Sequence, residues 1–294
     1  MADLILGGTG TVGGAVVRGL LEAGRKVRVL TRSADKAKAL PSGATGVVGD
    51  LMDPATYGQI FSGGDLDGVF LLNALNPSEL NEGLCALAEA KRAGAKRIVY
   101  LSVHDAEKAP HVPHFASKVA IESGIKASGI PYTLLRPNNF YQNDVWFLEA
   151  ITKHGVYPQP MGGAGLSRVD VRDIAAAAVN ALTKPGHENK SYALAGPDAL
   201  TGEQTAALWA KALGRDVRYA GDDLVAWGEQ QKAHLPAWLL YDFTLMYEFF
   251  QAKGLKASDA QLRETETAIG GPPRRYADYV AETAASLSGS GSVT

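Results

Sequence analysis

A short apolar run that gives way to clustered glycines and then to helical periodicity leaves a chain few ways to fold. Here Leu4, Ile5 and Leu6 read as a buried strand, and Gly7, Gly8, Gly10, Gly13 and Gly14 follow. Val12, Val16, Val17, Leu20 and Leu21 then recur on one helical face. Gly24 stands where a helix would close in a left-handed cap, and residues 26–30 read as a second strand. Each glycine of the first turn has a task. Gly7 or Gly8 permits the tight turn off the strand, Gly10 lets the backbone approach a ligand, and Gly13 lets the helix pack closely on the sheet. The helix start offers free N–H groups and a positive dipole end to an anion. A glycine-rich turn without a ligand is the plainer alternative. The setting of strand, turn, helix and strand favours a dinucleotide pyrophosphate held by Gly7, Thr9, Gly10, Thr11, Val12 and Gly13.

The end of the second strand bears on which dinucleotide. An NAD site usually carries Asp or Glu there for the ribose 2′-hydroxyl, whereas an NADP site carries Arg nearby. This chain reads Thr31-Arg32-Ser33, with no acid until Asp35. The planar fork of Arg32 suits a 2′-phosphate, and Lys36, one turn on, adds charge. Ser33 is placed to cap the next helix. The expected cofactor is NADP(H), with a solvated loop charge as the alternative role for Arg32.

Composition excludes several classes. Of 294 residues, 46% are hydrophobic and 20% charged, and the net charge of −2 shows no basic excess that would point to nucleic acid. Cys85 is the single cysteine, so no internal disulfide can form, which fits a reducing compartment. The first strand begins too early for a signal peptide, and no apolar run approaches the roughly 20 residues of a membrane span. The expectation is a cytoplasmic protein that acts on neither nucleic acid nor membrane; a homodimer is left open.

The alternation continues. Strands are expected at 45–49, 68–72, 98–101 and 132–135, with helices between them, including one from Asn76-Pro77 to residue 93 and one over 113–128. Asp53-Pro54 reads as an N-cap with proline in the first helical position. Strands separated by helices on short links predict an α/β fold, a Rossmann doubly wound parallel sheet. Ligands in such sheets bind beyond the carboxyl ends of the strands. That rule singles out Arg32, Asp50 and Leu51, Asn73 and Ala74, Ser102, and the segment carrying Pro137, Asn139 and Phe140.

After residue 137 the pattern changes. Residues 139–151 look helical, 155–165 irregular, 170–182 an alanine-rich helix back against the sheet, and 222–252, 258–268 and 275–287 helical. The expected organisation is an NADP-binding domain over 1–150, with 166–200 returning to it. A smaller, mostly helical C-terminal substrate part would comprise 151–165 and 201–287, and 288–294 would be a flexible tail. All four tryptophans and a run of Tyr241, Phe243, Tyr247, Phe249 and Phe250 fall after residue 137. Aromatics at helical spacing are usually core; some would instead wall a pocket for a planar substrate.

Catalysis needs more than a nucleotide site. His114, Lys118 and Glu122 are four apart, so all three share one helical face. A lysine at the nicotinamide end can bond ribose hydroxyls and hold charge near developing oxyanion character. A histidine, with an unperturbed pKa of about 6.5, can deliver the proton that accompanies hydride transfer. Lys118 and His114 are therefore the candidate catalytic residues. The plainer alternative is an exposed Lys118–Glu122 pair beside a surface histidine. His104, His111 and His114 fall within HDAEKAPHVPH, but their spacing matches no zinc pattern, and no metal is expected.

GGTGTVGG, the Thr31-Arg32 ending, VYLS at 99–102, HFASKVAIE at 114–122 and GIPYTLLRPNNFYQN at 129–143 resemble the NmrA-like family of atypical short-chain dehydrogenases/reductases, over roughly residues 1–200. The resemblance implies pyrophosphate contacts at Gly7, Gly10 and Gly13, 2′-phosphate contacts at Arg32, a nicotinamide-ribose lysine at Lys118, and residues 137–140 beside the nicotinamide. Standard members of the wider group use a YxxxK pair; His114 stands where that tyrosine would be, as is common in the NmrA-like branch. The implied activity is an NADPH-dependent oxidoreductase that passes hydride to a quinone, enone or other conjugated carbonyl, a small-molecule partner that is conjugated or aromatic. The alternative is a non-catalytic NADP(H)-sensing regulator of the NmrA type. A sugar-nucleotide epimerase-like enzyme is disfavoured by the missing tyrosine.

Overall fold

The glycine turn lies where the sheet order reverses. The computed structural model describes residues 2–62 and 66–289, the last two by backbone alone. In chain order the strands are β1 (Ala2–Ile5), β2 (Val27–Thr31), β3 (Ala44–Val48), β4 (Leu66–Leu71), β5 (Ile98–Leu101), β6 (Tyr132–Pro137), β7 (Val156–Tyr157), β8 (Lys190–Leu194) and β9 (Arg218–Tyr219). The helices are α1 (Thr11–Glu22), α2 (Ala34–Lys38), α3 (Tyr57–Ile60), α4 (Glu79–Arg92), α5 (Pro113–Ala127) and α6 (Leu148–His154). They continue with α7 (Val171–Thr183), α8 (Gly202–Leu213), α9 (Leu224–Gln231), α10 (Ala237–Lys253), α11 (Asp259–Ile269) and α12 (Tyr276–Gly289).

Among the described residues, seven strands form a parallel sheet ordered β3-β2-β1-β4-β5-β6-β8. Succession runs outward from β1 in both directions, so β1 and β4 bound the switch point where ligands of such sheets bind. Ile5 pairs with Val29 on one side and Phe70 on the other, which fixes the register at the base of the turn. The doubly wound α/β fold expected from the sequence is what the chain forms.

The chain divides into two compact units. The first comprises the chain up to Pro137, Val171–Leu194 and Glu264–Gly271. One sheet face carries a core that includes Leu4, Leu6, Leu71, Tyr100, Ile121 and Leu134, all almost wholly buried. On the other face α1 packs against α7, closely enough that a Cβ at Gly19 would lie 2.9 Å from the Val179 side chain. Local signals set the boundaries: Asp53 accepts from the Ala55 N–H and Pro54 opens the next turn, while Gly24 adopts φ +73° beyond α1. The edge strand β8 is tied by the Glu264 carboxylate, which accepts from Ala193 N–H, and by the Thr265 hydroxyl, which donates to the Ala193 carbonyl.

The second unit comprises Asn138–Asp170, Ala195–Arg263 and the chain from Pro272 onward. It is mostly helical, with β7 and β9 paired in parallel. Two sequence expectations need correction here. Residues 139–151 do not form one helix: Phe140 bridges Val169, which holds the backbone extended before a 3₁₀ turn over Tyr141–Phe147 and then α6. The helical run of 222–252 breaks at Pro236, which caps α10 and has no N–H for a helical bond. Residues 290–294 of the expected tail lie outside the described residues. Among the described residues no helix is long and apolar enough to cross a membrane.

The core of this unit is polar as well as aromatic. The Arg168 guanidinium and the Asp144 carboxylate are 2.8 Å apart and at most 1% exposed. Arg168 also donates to Tyr157 Oη and to the Phe140 carbonyl, while Trp209, Gln159 and Tyr276 donate to Asp144. Burial works against the Arg168 charge, but Asp144 outweighs it and keeps the guanidinium protonated. Trp209, Trp227, Tyr247, Phe249 and Phe250 are buried, as helical spacing suggested; Trp146, Trp238 and Tyr241 are exposed.

Asp144→Ala should strand the buried guanidinium and lower stability by about 3–5 kcal/mol in urea unfolding. A loss below about 1 kcal/mol would contradict this reading of the core.

Candidate active site

The turn after β1 is held in shape by contacts that exclude side chains. Gly7 has φ +77°, and a Cβ there would meet the Leu72 carbonyl oxygen at 2.7 Å. A Cβ at Gly13 would lie 2.2 Å from the Gly7 carbonyl oxygen, so only glycine lets the helix begin this close to the strand end. At Gly10 the nearest atom to such a Cβ is 3.5 Å away, which leaves the approach to the backbone open. Gly10 is the N-cap of α1, with no side chain to cap the helix and no acid in its first turn. The opening N–H groups of α1 and the positive end of its dipole therefore have no anion supplied by their own turn.

A groove opens beside this turn at the carboxyl ends of β1 to β4. It gathers Gly7, Thr9, Arg32, Lys36, Asp50, Leu51, Asn73 and Ala74, all singled out from the sequence, and adds Asn76 and Glu82, which were not. Thr11 opens α1, whereas the Val12 side chain is buried, so only its backbone can face the groove. Arg32 is exposed and forms no ion pair or side-chain hydrogen bond among the described residues. The nearby acid is spoken for, since Asp35 pairs with Lys38 at 3.3 Å; Ser33 accepts from the Lys36 N–H and caps α2. Asn73 is 5% exposed, and neither atom of its amide has a hydrogen-bond partner among the described residues. A buried amide without partners carries a desolvation cost that a polar ligand in the groove would relieve.

The second cluster follows β5 and lies on α5. Ser102 is buried, and its N–H donates to the Leu135 carbonyl. The Pro137 carbonyl at the end of β6 accepts from the His104 N–H. His104 is fully buried with Nε2 3.5 Å from the Asp105 carboxylate. His111 is exposed, and among the described residues no three His, Cys, Asp or Glu side chains are grouped as metal ligands would be.

The helix α5 does not carry an exposed Lys118–Glu122 pair. Lys118 reaches across to α4, its Nζ 2.6 Å from the Glu79 carboxylate, with side chains 12% and 3% exposed. Glu122 is held instead by Arg136, at 2.9 and 2.5 Å. Burial pushes the Glu122 carboxyl up, but the Arg136 fork outweighs it and the net shift is downward. Lys118 also stands 6.0 Å from the centre of the buried Tyr100 ring, whose hydroxyl has no partner among the described residues. Burial raises the Tyr100 pKa, and Glu79 and Glu122 raise it further. His114 is half-buried, its ring edge-on to Phe115 at 4.6 Å. Asn139 and Phe140 belong to the second unit, where Arg168 donates to the Asn139 side chain at 3.1 Å and to the Phe140 carbonyl at 2.6 Å.

Comparison with known proteins follows this geometry. A family model described as the NmrA-like family matches residues 4–267. The chain belongs to the NmrA-like family. An NAD(P)H azoreductase from Xenophilus azovorans is 39% identical over 74% of this chain and 75% of the relative. A (4-alkanoyl-5-oxo-2,5-dihydrofuran-3-yl)methyl phosphate reductase from Streptomyces griseus is 33% identical over 96% of this chain and 97% of the relative. The crystal structure of an NADPH-dependent quinone oxidoreductase from Escherichia coli, complexed with NADPH, superposes with a TM-score of 0.85 at 26% identity. That superposition covers 96% of this chain and 99% of the other. The fold and the family expected from the sequence motifs are thereby established for this chain.

Two outcomes test the geometry. Gly13→Ala should cost about 1–3 kcal/mol in thermal or urea unfolding, because the added methyl must force the turn apart; a neutral change would contradict the close packing. The stability from Glu122–Arg136 should be full above pH 4.5, the ordinary value for the carboxyl, and should fade as pH falls through the lowered native value. Comparing Glu122→Gln with the parent should therefore show a gap that narrows on acidification; a gap constant to pH 3 would be inconsistent.

Proposed function

We propose that the protein is an NADPH-dependent oxidoreductase whose acceptor is a quinone, enone or similarly conjugated small molecule. The coarser statement is firm: it is an NAD(P)H-dependent oxidoreductase of the NmrA-like family, supported by relatives that span most or all of the chain. The residues of the groove fit such a nucleotide. The uncapped start of α1 and the close-packed glycines suit a diphosphate, and the partnerless Asn73 amide suits a polar ligand beside it. The observation that carries the choice of NADPH over NADH is Arg32, an unpaired guanidinium at the groove with Lys36 one turn away. Its planar fork matches the oxygens of a 2′-phosphate.

When bound, the nicotinamide supplies the hydride. The protein holds and orients. Lys118 would donate to ribose hydroxyls and place positive charge where an acceptor oxygen becomes anionic. His114, or water, would deliver the proton, because no tyrosine occupies the position four before Lys118. The acceptor class is supported by what the relatives reduce: an azo compound, a quinone, and a ring whose named double bond is conjugated with carbonyl groups. All are electron-poor conjugated systems that accept hydride.

Arg32→Glu should weaken NADPH roughly ten- to a hundredfold while leaving NADH nearly unchanged. Equal loss for both nucleotides in fluorescence titrations would remove the case for phosphate recognition. A panel of quinones, enones and azo dyes, followed by nicotinamide absorbance, should show turnover on at least one conjugated acceptor, and Lys118→Ala should reduce it. Tight NADPH binding with no turnover on any of them would favour a sensing role.

A further inference from the structure

Lys118 is a buried cation, and its partner lies 39 residues away on another helix. Glu79 occupies the first turn of α4, packed against α5, and is 2% exposed. A carboxylate this deep is costly unless compensated. Two compensations are present: the Lys118 ammonium at 2.6 Å and the positive end of the α4 dipole. The Glu79 carboxylate in turn defines the setting of Lys118. With a carboxylate on one of its three hydrogens, the ammonium can donate the others but has no lone pair with which to act as a base.

We propose that Glu79 is the positioning residue for Lys118: it aims the ammonium and keeps it charged at the nicotinamide end of the site. This deepens the functional reading above and rests on it for the identity of the site. The tyrosine of the YxxxK pair is absent here, since His114 stands four before Lys118. In that pair the lysine charge acts on the neighbouring phenol. Here Glu79 offsets the charge, and the buried phenol nearest to Lys118, that of Tyr100, is driven away from ionisation by burial first and by Glu79 next. Lys118 works as a fixed charge and donor.

Other ionisable groups near Lys118 are engaged or of lesser reach. On α4, Glu82 accepts from the Asn76 amide. On α5 itself, Glu122 is taken by Arg136 and Lys126, and His114 lies one turn before Lys118. On the 3₁₀ turn packed against α5, Asp105 pairs with Lys108, and Glu107 lies 3.8 Å from Arg136. Glu79 is the carboxylate in direct contact.

The test reads Lys118 itself. Protein labelled with ¹³C-lysine is titrated without nucleotide, the Lys118 ε-carbon signal being assigned through Lys118→Arg. In Glu79→Gln the ammonium loses its counter-charge while remaining buried, so its titration should move to lower pH by about one unit or more. Glu79→Asp should restore most of the difference. The alkaline limb of kcat with NADPH and menadione should move in the same direction. An unchanged Lys118 titration in folded Glu79→Gln would overturn the proposal, as would a uniform loss of activity at all pH values. Should Glu79→Gln fail to fold, Glu79→Ser decides: a downward shift of the Lys118 titration supports the proposal and an unchanged one overturns it. If the titration shifts but the parent protein neither binds nor oxidises NADPH, the pairing stands as chemistry and the assignment of the site falls.

Discussion

The contact on which the structure most depends is between two glycines. Gly13 lies so close to the Gly7 carbonyl that no side chain fits between them, and this closeness sets α1 directly on the end of β1. Because β1 is the strand at which the sheet order reverses, the helix start is delivered to the switch point and not to an arbitrary edge. The uncapped helix start then follows directly on Gly7 and Thr9, which line a groove together with the ends of β2, β3 and β4. A side chain at Gly7 or Gly13 would meet the protein's own backbone and push the helix start off the strand end, while Gly10 leaves the approach to the backbone open. Packing and recognition are here the same constraint.

Charge is distributed along the first unit to match. Among the described residues Arg32 and Lys36 form no ion pair on the groove, while other cations of the first unit are neutralised by the protein itself: Lys38 by Asp35, Lys118 by Glu79, Arg136 by Glu122. The buried pairs fix α5 through two carboxylate contacts, one to α4 and one to β6, so the helix carrying the catalytic candidates cannot easily shift. In the second unit Arg168 plays a comparable part. Its guanidinium holds Asp144, the Asn139 side chain and the Phe140 carbonyl at once, which makes the segment leaving β6 a rigid one.

Much of this was legible before the structure was examined, and the reason is locality. The glycine turn, the Asp53-Pro54 cap, the Ser33 cap and the arginine beyond β2 each announce themselves within a few residues, because turns and caps are chosen by nearby backbone geometry. The groove consequently gathered Gly7, Thr9, Arg32, Lys36, Asp50, Leu51, Asn73 and Ala74 as expected from strand ends alone. What the spacing could not reveal was partnership across the chain. Lys118 and Glu122 are one helical turn apart, yet each bonds to a residue on a different element, since helical spacing predicts a shared face and not a shared partner. The same limit hid Asp144–Arg168, and it explains why 139–151 read as one helix when Val169 holds its first residues extended. Pro236 is the local signal for the break in the long helical run, since it has no N–H to donate.

The central claim is that the α1 start grips a diphosphate and that Arg32 and Lys36 engage the additional phosphate. ³¹P NMR of NADP⁺ titrated with the protein observes both groups directly and separately. The account predicts that the diphosphate and the 2′-phosphate resonances both shift or broaden on binding, and that the 2′-phosphate titrates at lower pH in the complex than free. A bound nucleotide whose 2′-phosphate signal stays as it is in solution would contradict it.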